Sequence, residues 1–257
     1  MRQLLTWLLL ALLTVAITVL AFCPAAWIAP VLEAQTAGRL TLGDVQGTIW
    51  RGSAFIGGAP SGKGPVTPLL PGRFDWRISP LLLLGQVDLQ LDNPSAFARP
   101  LSITGSWSQW QVSADAITLP AERLAGLGAP LNTLAPSGQM KLSWGALQLT
   151  RQDRTLDVVG AMTMDLSNIA SRLSPIKPLG AYQMTIDWRG QHASLALKTI
   201  KGPLLLSGTG ALRNGRLQFS GKAEAEAGQQ ETLANLLNLL GQRRKEGDKT
   251  VIGLEFK

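Results

Sequence analysis

Few residues in this 257-residue chain carry reactive groups, and the only histidine, His192, is the natural place to look for chemistry. Asp187 and Ser194 lie close to it, so the residue types of a Ser-His-Asp nucleophile are present. Such a nucleophile is recognised by geometry, with the base in hydrogen-bond reach of the hydroxyl and an oxyanion site opposite. No Gly-x-Ser-x-Gly elbow precedes His192, and Gln191-His-Ala-Ser194 stands between two alternating segments, where polar turn residues belong. A solvated turn histidine is the reading that follows.

A second candidate is Gly57-Gly-Ala-Pro-Ser-Gly62-Lys63-Gly64, whose glycines and lysine have the spacing of a phosphate-binding loop. That chemistry also needs a hydroxyl for magnesium after the lysine, and a helix whose N-terminus faces the phosphate. Position 64 is glycine, and Pro65 and Pro68 stand where the helix should begin. The stretch therefore reads as a loop. One histidine and one cysteine, Cys23, exclude the usual nitrogen and sulfur metal sets, and a lone cysteine excludes an intrachain disulfide. Carboxylates are few and unclustered. The expectation is a non-enzymatic protein with no catalytic, cofactor-binding or metal-binding residue, and no small-molecule substrate.

The elements that would position any site are mainly strands. Val87-Asp-Leu-Gln-Leu-Asp92, Leu147-Gln-Leu149 and Ser194-Leu-Ala-Leu-Lys198 alternate with period two, as does Leu212–Phe219 around Asn214-Gly215. Asn-Gly between alternating apolar residues is a strong hairpin signal, and alternation implies antiparallel strands with one buried face. Tryptophan recurs in these settings, at Trp50, Trp76, Trp144 and Trp188, and large aromatics usually bury, so Trp76, Trp144 and Trp188 are expected in the core. The proline-rich stretch 59–72 reads as a loop. The segment 120–136 carries a short helix around Leu124 and separates two strand-rich halves. Leu233, Leu236, Leu237 and Leu240 follow helical spacing up to Gly241, predicting a helix packed on the sheet, and 250–256 reads as a last strand.

Ahead of these strands, Leu4–Phe22 contains no charged residue. At ~1.5 Å rise per residue, a helix of that length nearly matches a ~30 Å hydrocarbon core. Trp7 and Trp27 flank it as interfacial residues would. Arg2 precedes it and Glu33 is the first charge after it, so the bias places the N-terminus in the cytoplasm and the body across the membrane. The length of the run, and Phe22-Cys23-Pro24 in place of a small-residue cleavage site, favour a retained segment over a cleaved signal. Phe22 directly before Cys23 also breaks a lipoprotein box. The expected organisation is 1–3 cytoplasmic, 4–22 transmembrane, 23–39 a juxtamembrane linker and 40–257 a β-rich domain. Net charge is +7, yet the basic residues are dispersed and only Arg243-Arg244-Lys245 cluster, beside Glu246 and Asp248. Nucleic-acid binding needs a basic patch on one face, so none is expected.

Several segments occur in an order that identifies a family. They are the apolar N-terminal run; Val45-Gln-Gly-Thr-Ile-Trp-Arg-Gly-Ser-Ala54; Phe74-Asp-Trp-Arg-Ile-Ser-Pro-Leu81; Ala129–Gly138 leading into Leu142-Ser-Trp144; Ser174–Tyr182; and Gly202–Gly210. In this series the chain resembles type II secretion system protein N. The resemblance implies a single-pass inner-membrane protein with a mainly β, antiparallel, curved periplasmic sheet or meander and a few short helices. It implies a role in exporting folded proteins from the periplasm across the outer membrane, with other inner-membrane and periplasmic secretion proteins as partners. No catalytic residues transfer with it, and which residues contact partners is not readable from sequence. In architecture the chain is also similar to the AsmA-like group, which implies an alternative function in periplasmic lipid binding or transfer. On that alternative the apolar runs Pro80–Gly85 and Leu204–Leu206 would line a groove, although both fit buried strands as well.

Overall fold

The computed structural model describes residues 2–36, 40–58, 67–68, 70–127, 131–152, 155–213, 216–246 and 249–256. They form two compact units, Met1–Ser95 and Ala96–Lys257. Both are built mainly from antiparallel strands with a few short helices.

The first unit comprises helices α1 (Arg2–Ala21) and α2 (Ile28–Gln35) and strands β1 (Leu40–Gly47), β2 (Arg51–Gly58), β3 (Thr67–Pro68), β4 (Phe74–Ile78) and β5 (Gln86–Asp92). β2 pairs with β1, β3 and β4, and β4 pairs with β5. The alternation read in Val87–Asp92 appears as strict in-out exposure along β5. Its inward residues Leu89 and Leu91 pack with Ile28, Leu42 and Ile78 around Ala25, Ala54 and Trp76. Trp76 is 8% exposed, and its indole N–H donates to the Ile49 carbonyl at 3.1 Å, which satisfies the one polar atom it takes into the core.

α1 runs for 20 residues, and among the described residues no helix is long and apolar enough to cross a membrane. The C-terminal end of α1 is tied to the β1–β2 turn. Trp50 Nε1 donates to the Leu20 carbonyl at 2.8 Å, and the Ile49 amide donates to the Cys23 carbonyl at 2.9 Å. The first bond occupies a carbonyl that the helix end leaves without an intrahelical donor.

Pro80–Leu84 departs from its sequence reading as a groove-lining or buried run. It is a short 3-10 turn, and Leu81, Leu83 and Leu84 are exposed, Leu84 at 79%. The flanks explain the difference. Ser79 caps the turn by accepting from the Leu81 amide, Pro80 starts it, and Gly85 ends it in the left-handed region at φ 90°.

The second unit holds β6 (Leu101–Ser106), β7 (Gln109–Val112), β8 (Asp115–Pro120), α3 (Leu131–Leu134), β9 (Pro136–Trp144), β10 (Leu147–Gln152), β11 (Thr155–Ser171), β12 (Gly180–Gly190), β13 (His192–Lys201), β14 (Leu204–Arg213), β15 (Arg216–Ala225), α4 (Gln230–Leu240), β16 (Gln242–Glu246) and β17 (Lys249–Phe256). β11 to β15 pair in chain order, β17 pairs with β15, and β16 pairs with β17. On the other side of β11, its first residues pair with β10 and its later ones with β9. β10 leads on to β7 and β6, and β9 to β8. The register Arg213↔Arg216 leaves a two-residue connection, as the Asn-Gly signal requires, although 214–215 lie outside the described residues. α4 is the helix predicted from its leucine spacing. Leu233 and Leu236 are 0% and 2% exposed and pack with Leu134, Leu179 and Leu204.

Candidate functional site

The residues singled out for catalysis are not assembled. His192 opens β13 and pairs with Arg189, while Asp187 pairs with Ser194. All four side chains are exposed. The register puts them on one face, but it is an open sheet surface without the enclosure or the oxyanion donors that acyl transfer requires. Of the phosphate-loop candidate, Gly57 and Gly58 finish β2 and pair with Pro68 and Thr67. Residues 59–66 lie outside the described residues. Among the described residues no cluster of His, Cys, Asp and Glu could hold a metal ion. In the basic cluster, Arg244 is paired with Glu255 at 2.7 Å and Arg243 donates to Asn238 at 3.0 Å.

Two of the tryptophans differ from the core placement expected of them. Trp144 is half-buried, its ring edge-on to Phe97 at 6.5 Å and its N–H donating to the Ser113 carbonyl. Trp188 is half-buried too, and its indole nitrogen is out of solvent without a hydrogen-bond partner. Both indoles therefore keep part of their surface in solvent.

What the second unit does form is a partly open apolar cavity of about 420 Å³. Its floor is the inward face of the sheet, and its cover comes from α4 through Leu236 and Leu240 and from Leu124 of the short helical turn after β8. The register builds the floor as a row of facing positions, Met164–Met184–Leu197–Gly208–Gly221–Leu254, which crosses β11, β12, β13, β14, β15 and β17. At the two glycines the Phe219 ring lies flat against the sheet. A Cβ would stand 2.6 Å from it at Gly208 and 2.9 Å at Gly221.

One irregularity decides which β11 residues face the cavity. Against β12 the pairs run Leu166↔Tyr182 and then Ile169↔Gly180; against β9 they run Ser167↔Gln139 and then Ala170↔Ser137. Both neighbours therefore see one extra residue in β11, a β-bulge centred on Asn168 at φ 53°. Strand side chains alternate faces, so the extra residue resets the parity. Met164 and Leu166 line the cavity before it, and Ile169 and Ser171 after it. Strict alternation would have turned Ile169 outward.

The wall carries few polar atoms, and those it has are committed. Ser171 Oγ donates to the Leu134 carbonyl at 2.6 Å. Tyr182 Oη donates to the Leu204 carbonyl at 3.1 Å, and burial pushes its phenol well above the ordinary tyrosine range. Sequence reading had marked Leu204–Leu206 as an apolar run, and Leu204 and Leu206 do line this cavity while Leu205 is exposed. It had no means of joining them to Met164, Tyr182 or Leu236. The ordered segments nevertheless converge here, since Pro136, Leu179, Tyr182 and Leu204 come from three of them.

Among known families, the model of type II secretion system protein N matches residues 38–251. No curated protein and no solved structure matches the chain.

Proposed function

The chain belongs to the type II secretion system protein N family, and on that premise we propose that it is a non-enzymatic inner-membrane component of the secretion apparatus. Its β-rich body stands in the periplasm and supports export of folded proteins across the outer membrane through contacts with other secretion proteins. The observation that carries this reading is the extent of the match, which runs from residue 38 to residue 251 and so takes in nearly all of the β structure.

Membrane placement is supported by α1. Its sequence is uncharged from Leu4 onward, its backbone is helical over Arg2–Ala21, and its apolar side chains stand exposed, Leu8 at 70% for example. An exposed apolar helix of this kind costs free energy in water and none in lipid. Arg2 before the run fits a start on the cytoplasmic side under the positive-inside bias, and the bond from Trp50 to Leu20 ties the β1–β2 turn to the far end of the helix.

The test is chemical crosslinking in intact cells followed by purification from separated membranes. The chain is expected in the inner-membrane fraction, crosslinked to inner-membrane and periplasmic components of the same secretion system. Recovery from another fraction, or crosslinks to none of those components, contradicts the reading.

A further inference from the structure

We infer that the cavity of the second unit is a binding site for a single long alkyl chain, the acyl chain of a lipid or of a free fatty acid. The cavity stands on its own geometry; the membrane as source of the chain rests on the placement proposed above.

Polarity comes first. The hydroxyls of Ser171 and Tyr182 both donate to backbone carbonyls of the protein, at 2.6 and 3.1 Å, so neither has a proton to offer a guest. The remaining wall is leucine, isoleucine, methionine, phenylalanine, alanine and proline. A guest with donors or acceptors would lose its hydrogen bonds to water and gain none, a cost that excludes sugars, nucleotides and extended peptide backbone. Water itself needs several polar partners, which this wall hardly offers, so hydrocarbon is the better guest. A methylene chain has nothing to leave unpaired.

Shape then selects among hydrocarbons. The volume of about 420 Å³ falls in the ordinary range of ligand sites, ~300–1,000 Å³. The wall draws on six strands, β11 to β15 and β17, and at ~4.8 Å between strands it spans roughly 24 Å, with Phe219 lying over the row at Gly208 and Gly221. A wall of that span suits an extended acyl chain better than a compact ring. Met164 and Met184 face one another across β11 and β12 on this floor, and their unbranched side chains adjust to a flexible guest. The bulge at Asn168 serves the same end, since it returns Ile169 to the cavity face and continues the apolar wall past the point where alternation would have broken it.

The experiment uses the full chain reconstituted in phospholipid nanodiscs. Two probes are compared, palmitic acid and a phosphatidylethanolamine, each with a diazirine near the end of the acyl chain. After photolysis, adducts are mapped by mass spectrometry. Labelling of the cavity wall, at Met164, Met184 or Leu195, is expected to fall at least tenfold with excess unlabelled palmitic acid. The same loss is expected in the space-filling variants Met184→Trp and Leu195→Trp, while Ile200→Trp on the exposed face keeps the label. Wall labelling by the phospholipid identifies a membrane lipid as guest, and labelling by palmitic acid alone identifies a free fatty acid; either supports the site. Wall peptides without label, or label that neither competitor nor variants reduce, overturn it. Adducts on α1 report separately on membrane placement, so the two readings fail independently.

Discussion

Tyr182 is 2% exposed, and its hydroxyl reaches the Leu204 carbonyl from within the cavity wall. Burial disfavours the phenolate, so the folded-state pKa lies above the unfolded value of about 10. The sign of the pH dependence follows from that order. Below about pH 10 the phenol is protonated in both states, and its contribution to stability is fully present. Above that pH the unfolded chain releases the proton while the folded chain holds it, so stability falls as pH rises. Tyr182 is the only tyrosine in the chain, so tyrosinate absorbance reports on it alone. Titration of the folded protein should show no ordinary tyrosine transition near pH 10, whereas the denatured protein should show one. Tyr182→Phe should remove the alkaline loss of stability and cost about 1 kcal/mol at neutral pH, the worth of one hydrogen bond, measured by denaturant unfolding. A normal transition in the folded protein would contradict the buried, bonded placement.

Among the elements, β11 has the most to do. At 17 residues it is long enough to take β10 and β9 in succession on one edge and β12 on the other. Its bulge is a backbone requirement that side-chain patterns do not display. Asn168 sits at φ 53°, where a β-branched residue is strained by ~1–3 kcal/mol and glycine is not. Across the bulge, Gly138 of β9 passes so close that a Cβ would stand 2.7 Å from the Asn168 carbonyl oxygen. Asn168→Val and Gly138→Ala should each lower stability by about 1–3 kcal/mol in denaturant unfolding, and Asn168→Gly should change it by less than about 0.5 kcal/mol. Equal losses for Val and Gly at position 168 would show that the left-handed backbone is not what the site demands. This element also marks where sequence reading stops. The alternation in β5 and β13 and the leucine period of α4 are local patterns, and each was readable because one face of each element is buried. The cavity joins residues as far apart as Leu124 and Leu254 through register, and a one-residue bulge decides the register's parity. Pro80–Leu84 was misread for a related reason. Its composition is that of a buried strand, while its ends, Ser79-Pro80 and Gly85, are those of a helical turn.

At the scale of the molecule, an N-terminal helix precedes antiparallel β structure in two units, and among the described residues the candidate catalytic groups are not assembled. The mainly β class was legible in the period-two segments, and the family was legible in their order, because tryptophan and glycine at fixed places record which strand is which. The cavity was not legible, since such spaces arise between elements and leave no local mark. The account makes this chain a working part of a secretion apparatus, and the distribution of a secreted enzyme between medium and periplasm tests that most directly. Removing the gene should leave the enzyme folded and active in the periplasm and deplete it from the medium, and re-expression of the full chain should restore export. Undiminished secretion without the gene would contradict the account.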